Sequence, residues 1–193
     1  MTADKNNTIA LILAGGRGRR MMNSDKGLLL WRNKALIQHV TEAIEMQLDR
    51  IVINANQHHE QYQSLNYPLI ADSVSGFKGP LSGIMTAMQY CNDAGYLLIV
   101  PCDCPTPPAD LFRRLARAIN ASDNASIAIA NDGTRDQPLF GLYKTSLLAE
   151  LKLALANNHN KVLQFVMEHK PVIADFSDQP EAFKNFNQPE DML

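Results

Sequence analysis

Apolar residues along the chain fall into short runs separated by polar loops, and the runs are of two kinds. Ile9 to Leu13 is a continuous apolar stretch that ends abruptly in two glycines, as a strand buried on both faces would. Arg50 to Ala55, Tyr67 to Ala71, Tyr96 to Val100, Ser126 to Ala130, Leu139 to Tyr143 and Val172 to Phe176 also read as strands. Between them the apolar positions recur at helical spacing. Over Lys34 to Leu48, the residues Leu36, Ile37, Val40, Ala43, Ile44 and Leu48 share one face. Over Pro80 to Tyr90 the inward set is Leu81, Ile84, Met85 and Met88. Ala109 to Ile119, Ser146 to Leu155 and Val162 to Glu168 complete the helices. This alternation predicts an α/β architecture with a mostly parallel central sheet covered on both faces.

Composition narrows the picture. A chain of 193 residues suits one domain, 1–193, and an apolar fraction of 46% fills a sizeable core. The net charge of −2 gives no basic face of the kind nucleic-acid binders show. No apolar run approaches membrane-spanning length, and Met1 to Thr8 lacks the apolar centre of a signal peptide. Cys91, Cys102 and Cys104 form neither a disulfide framework nor a zinc set, so a cytoplasmic location is expected. The pair flanking Asp103 reads as buried thiols rather than metal ligands. His58-His59 reads as an exposed loop.

In open α/β sheets, ligands bind beyond the carboxyl ends of the strands. The first strand leads into Gly15-Gly16, the second ends at Asn54, the third reaches Asp72, and the fourth reaches Asp103. If these strands are parallel, all four groups share one rim. After the first strand, glycines permit close approach to the backbone, and successive N–H groups cup anions. Arg17, Arg19, Arg20 and Lys26 add positive charge, so a polyphosphate is the natural guest; a solvated basic loop is the alternative. No Gly-Lys-Ser/Thr follows the glycines, which excludes a Walker loop, and Met21 interrupts a G-x-G-x-x-G fingerprint. Asn33-Lys34 has the look of a guanine-reading pair but lacks its acid. Asp72 could instead cap a turn with Ser73 and Ser75, and Asn187-Gln188-Pro189-Glu190 reads as a helix start. Arg135-Asp136 could be no more than a hairpin ion pair.

Leu13-Ala14-Gly15-Gly16, Arg19-Arg20-Met21 and Asp25-Lys26-Gly27-Leu28 together resemble the signature of nucleotidyltransferases with a Rossmann-like, three-layer fold. Segments 71–84 (ADSVSGFKGPLSGI), 100–105 (VPCDCP), 132–143 (DGTRDQPLFGLY) and 176–192 (FSDQPEAFKNFNQPEDM) narrow this resemblance to the molybdenum cofactor guanylyltransferases. The resemblance implies transfer of GMP from GTP to molybdopterin-bound molybdenum, with release of pyrophosphate and use of Mg²⁺. By position, it implies that Leu13, Ala14, Gly15, Lys26, Asn54 and Asp72 contact GTP, with Gly16 in the same loop. Asp103 would hold the metal and contact the nucleotide through it. Lys26, Asp103 and Arg19 form the implied catalytic set, Gly79 falls in a matching motif, and Asn185 and Asn187 lie on the molybdopterin side. Cofactor-biosynthesis proteins and recipient molybdoenzymes are the implied transient partners. Two departures stand out: Met22 where the family carries glycine, and Gln188 where it carries threonine. A left-handed backbone at Met22 would cost roughly 1 kcal/mol or more, so that loop is expected either to be shaped differently or to be more mobile. Cytidylyl transfer, sugar-phosphate nucleotidyl transfer and a non-catalytic cofactor carrier are the competing functions.

Overall fold

The computed structural model describes residues 2–14, 25–73, 79–186 and 191. In chain order the elements are β1 (Thr8–Leu13), β2 (Leu30–Trp31), β3 (Lys34–Ala35), α1 (Leu36–Glu45), β4 (Ile51–Asn54), α2 (His59–Gln63) and β5 (Leu69–Ile70). They continue with α3 (Pro80–Tyr90), β6 (Tyr96–Pro101), α4 (Leu111–Asn120), β7 (Ile127–Asn131), β8 (Asp136–Lys144), α5 (Leu148–Ala156), α6 (Val162–Glu168) and β9 (Val172–Asp175). Seven strands form one sheet in the order β5-β4-β1-β6-β8-β7-β9. Every pairing in it is parallel except the two made by β8.

Alternation along the strands divides the core into two layers, one on each face of the sheet. Ala10, Ile12, Ile53, Leu98 and Val100 pack against α1, α4 and Tyr62 of α2. Ile9, Leu11, Val52, Leu97 and Ile99 face the other way, against α3, α5 and Phe165 and Val166 of α6. The three-layer, mostly parallel sandwich expected from the apolar pattern is the observed fold. Helix α3 matches its expected limits, and Leu81, Ile84, Met85 and Met88 are all buried.

Some element limits differ from expectation. Helix α1 starts at Leu36 rather than Lys34, because Lys34 and Ala35 pair antiparallel with Trp31 and Leu30. Arg32 and Asn33 both have positive φ, the pattern of a type I′ turn closing a two-residue hairpin. The Gln38 side chain accepts the Ala35 N–H at 3.0 Å and closes the start of the helix. Asn33-Lys34 is therefore hairpin chemistry. The strand expected over Tyr67 to Ala71 contracts to two residues at the sheet edge, and β8 begins earlier, at Asp136. His58 and His59 are exposed as expected, but His59 opens α2.

The crossovers place the ligand edge. Helix α1 lies between β1 and β4 in sequence and packs on one face; α3 lies between β5 and β6 and packs on the other. The connection therefore changes side between β1 and β6, and such switch points open a crevice at the carboxyl ends of the strands.

Candidate active site

Register fixes the rim. Leu13 at the end of β1 is level with Asn54 on β4 and with Pro101 on β6, and Asn54 is level with Ile70 on β5. The Ala14 N–H donates to the Asn54 carbonyl at 2.8 Å, and the Cys102 N–H to the Leu13 carbonyl at 3.1 Å. Asn54 and Pro101 thus stand one strand away from β1 on either side, roughly 10 Å apart. Lys26, Asn54, Asp72 and Asp103, separated widely in sequence, come together along this edge. Gly15, Gly16, Arg17, Arg19, Arg20, Met22, Asn187 and Gln188 lie outside the described residues.

On the β6 side, Lys26 Nζ is 3.2 Å from Asp103 Oδ2. Lys26 leaves a 3₁₀ turn, Lys26–Leu28, whose preceding residue is Asp25. The Asp25 carboxylate accepts the Gly27 N–H at 3.1 Å and so caps that turn. Burial raises the Asp25 pKa, opposed by the hydrogen bond from Tyr62. Cys102 and Cys104 are buried beside Asp103, and loss of hydration pushes both thiols up. They remain neutral, soft sulfur groups, unlike the hard oxygen of Asp103. Among the described residues, no group of three or more His, Cys, Asp or Glu side chains could hold a metal on its own.

On the β4 side, Asn54 is buried and its Nδ2 donates to Asp72 Oδ1 at 3.0 Å. The Asp72 N–H is held by Asn56 Oδ1 at 2.8 Å. The neighbouring Ser73 N–H goes to Thr86 Oγ1 at 2.9 Å, so Asp72 does not cap it. Gly83 of α3 permits this arrangement. A Cβ there would stand 2.4 Å from Asn54 Oδ1 and 3.0 Å from Leu13 Cδ2. Gly79, at φ 77, turns the chain into α3.

The chain after β9 returns along the same rim. β9 runs parallel to β7, and Phe176 to Phe186 cross back toward β6. Phe183 packs edge-on against Phe140 and Phe176, and Phe186 against Trp31. The Phe186 N–H donates to the Asp103 carbonyl at 2.8 Å, and the Cys104 thiol lies 2.8 Å from Asn185 Oδ1. Asn185 therefore sits beside the Asp103 loop. In segment 132–143, Asp132 accepts hydrogen bonds from Thr134, Arg135 and Gln137. Arg135 pairs with Asp132 at 3.6 Å, not with Asp136, which accepts from Asn131 Nδ2 at 2.7 Å.

A family model described as a MobA-like NTP transferase domain matches residues 10–172. The chain belongs to the MobA-like NTP transferase family. A molybdenum cofactor guanylyltransferase of Shewanella halifaxensis is 45% identical over 181 residues, covering 94% of this chain and 90% of the relative. One from Pasteurella multocida is 43% identical over 178 residues, covering 92% and 93%. The crystal structure of molybdopterin-guanine dinucleotide biosynthesis protein A from Archaeoglobus fulgidus superposes with a TM-score of 0.77 at 22% identity, over 95% and 94% of the two chains. That likeness shows the shared fold.

Within the MobA-like frame, sequence reasoning missed Tyr62 and Gly83. Tyr62 is the one buried residue of α2, whose other residues are exposed. A single aromatic within the polar run 57–64 was the available signal. The role of Gly83 depends on a contact with Asn54, distant in sequence, and local spacing carries no sign of it.

Proposed function

We propose that this chain transfers GMP from GTP to molybdopterin-bound molybdenum cofactor, forming the guanine dinucleotide cofactor and releasing pyrophosphate. The observation that carries this reading is the identity of 43–45% over more than nine-tenths of the chain to guanylyltransferases of that activity. The rim geometry supports it: a cation and a carboxylate stand 3.2 Å apart at the β1/β6 crevice.

A terminal phosphate oxygen on the pterin attacks the α-phosphorus of GTP. One P–O bond forms, the α–β bridge bond breaks, and pyrophosphate leaves with the electron pair. Two anions must meet, so the chemistry turns on positioning and charge neutralisation. Lys26 supplies positive charge to the triphosphate, with Arg19 as a second cation of the same loop. The attacking phosphate is already ionised and needs no general base. Leu13, Ala14, Gly15 and Gly16 offer backbone to the nucleotide, and Asn54 and Asp72 offer an amide and a carboxylate. Asn185, with Asn187 after it, serves the molybdopterin side.

Asp103 suits Mg²⁺, which binds oxygen, often takes only one or two carboxylates, and completes its shell with water and phosphate. The neutral thiols beside it are poor ligands for so hard an ion. Bound there, Mg²⁺ would neutralise phosphate charge.

The test is a nucleotide panel. The chain is incubated with molybdopterin cofactor and Mg²⁺ together with GTP, CTP or ATP, and pyrophosphate is measured. GTP is expected to give stoichiometric pyrophosphate and chelation of the metal to stop it. CTP as the better substrate, or cofactor binding with no pyrophosphate from any nucleotide, would overturn the reading.

A further inference from the structure

The hydroxyl of Tyr62 is buried beneath the turn that presents Lys26. It donates to Asp25 Oδ1 at 2.5 Å, the same oxygen that accepts the Gly27 N–H. The contact is close enough to exclude any side chain from position 27. A Cβ there would lie 2.5 Å from the Tyr62 oxygen and 3.4 Å from Cys102 Sγ. The turn closes above this support through Leu28 N–H to Asp25 carbonyl (3.1 Å) and Leu29 N–H to Lys26 carbonyl (3.2 Å). From it the Lys26 side chain extends to Asp103. The tyrosine ring packs in the core among the residues under the sheet, so ring and hydroxyl have separable duties. The ring fills space, while the hydroxyl is a donor to a half-buried carboxylate. Removing the hydroxyl takes a hydrogen bond from a partly desolvated carboxyl group, and a polar group left short of partners is costly.

We infer that Tyr62 is a positioning residue for nucleotide use: acting through Asp25, its hydroxyl fixes the turn from which Lys26 meets the triphosphate. The identity of the nucleotide rests on the proposed function; the chain of contacts from Tyr62 to Lys26 does not. Tyr67 offers a matched control, since its hydroxyl donates to Glu45 Oε1 at 2.7 Å on an exposed surface away from the rim.

The experiment is a double-mutant cycle on the full chain with Tyr62→Phe, Lys26→Ala and both together, beside Tyr67→Phe. KM and kcat are measured for GTP and for molybdopterin, with Tm for each variant. Tyr62→Phe is expected to raise KM for GTP about tenfold and leave KM for molybdopterin within about twofold of wild type. In the Lys26→Ala background the same change is expected to add less than about twofold. Tyr67→Phe is expected to match wild type. An unchanged KM for GTP in Tyr62→Phe, or an undiminished loss in the Lys26→Ala background, would show that the hydroxyl serves only the fold. Should Tyr62→Phe fail to fold, Asp25→Asn enters the same cycle with the same two criteria. A wild-type chain that forms no product from GTP would remove the proposed function instead. Titration with a fluorescent GTP analogue then still reads the Tyr62–Lys26 coupling.

Discussion

Asp103 and Lys26 form an ion pair at the rim, and both are largely shielded from solvent, with side-chain exposures of 17% and 28%. Partly exposed pairs of this kind contribute about 0–1 kcal/mol to folding. Under the proposed function, their juxtaposition serves the chemistry rather than stability. Asp103→Ala is expected to lower kcat by about a hundredfold or more while Tm moves by no more than about 4 °C. Steady-state kinetics and calorimetry on the same preparation check both halves. Near-normal turnover in that variant would remove Asp103 from the mechanism. The neutral thiols of Cys102 and Cys104 bear on the same point, because burial leaves Asp103 as the hard donor of the Pro101–Cys104 turn.

At the scale of elements, α3 and β4 meet where neither can give way. Gly83→Ala drives a methyl group against Asn54 and Leu13. Overpacking of this type costs about 1–3 kcal/mol, which lowers Tm by roughly 2–12 °C in a chain of this size. Because the displaced group is Asn54, KM for GTP is expected to rise as well. A variant with wild-type Tm and KM would show that the helix shifts freely. The elements themselves were largely legible: continuous apolar runs revealed the buried strands, and helical spacing gave α3 and α6 to the residue. What escaped was local competition. The Lys34–Leu48 pattern is helical throughout, yet the I′ turn at Arg32-Asn33 claims Lys34 and Ala35 for a hairpin. Helix α2 escaped for the opposite reason, being too short to carry a period.

Over the whole molecule, the strand ends in the sequence bring Asn54, Asp72 and Asp103 to one edge provided that β1, β4, β5 and β6 are parallel, which they are. Strand ends do not place Asn185, which reaches Asp103 only because the chain after β9 doubles back along the rim. That return is pinned by phenylalanine packing and by Arg114, which binds Asp178 through two nitrogens at 2.7 Å. The Arg114 guanidinium holds the Asp178 carboxyl down at about 2. Asn185, proposed for the acceptor side, and Asp103, proposed for the metal and GTP, are thus held side by side, so that two anions can be joined at one crevice. The decisive measurement follows the phosphorus. With molybdopterin cofactor and Mg²⁺ present, GTP labelled at the α-phosphate is expected to deliver its label to the dinucleotide cofactor. GTP labelled at the γ-phosphate is expected to deliver its label to pyrophosphate alone. Label from the γ-position in the cofactor, or α-label recovered only in free guanine nucleotides, would contradict nucleotidyl transfer at this site.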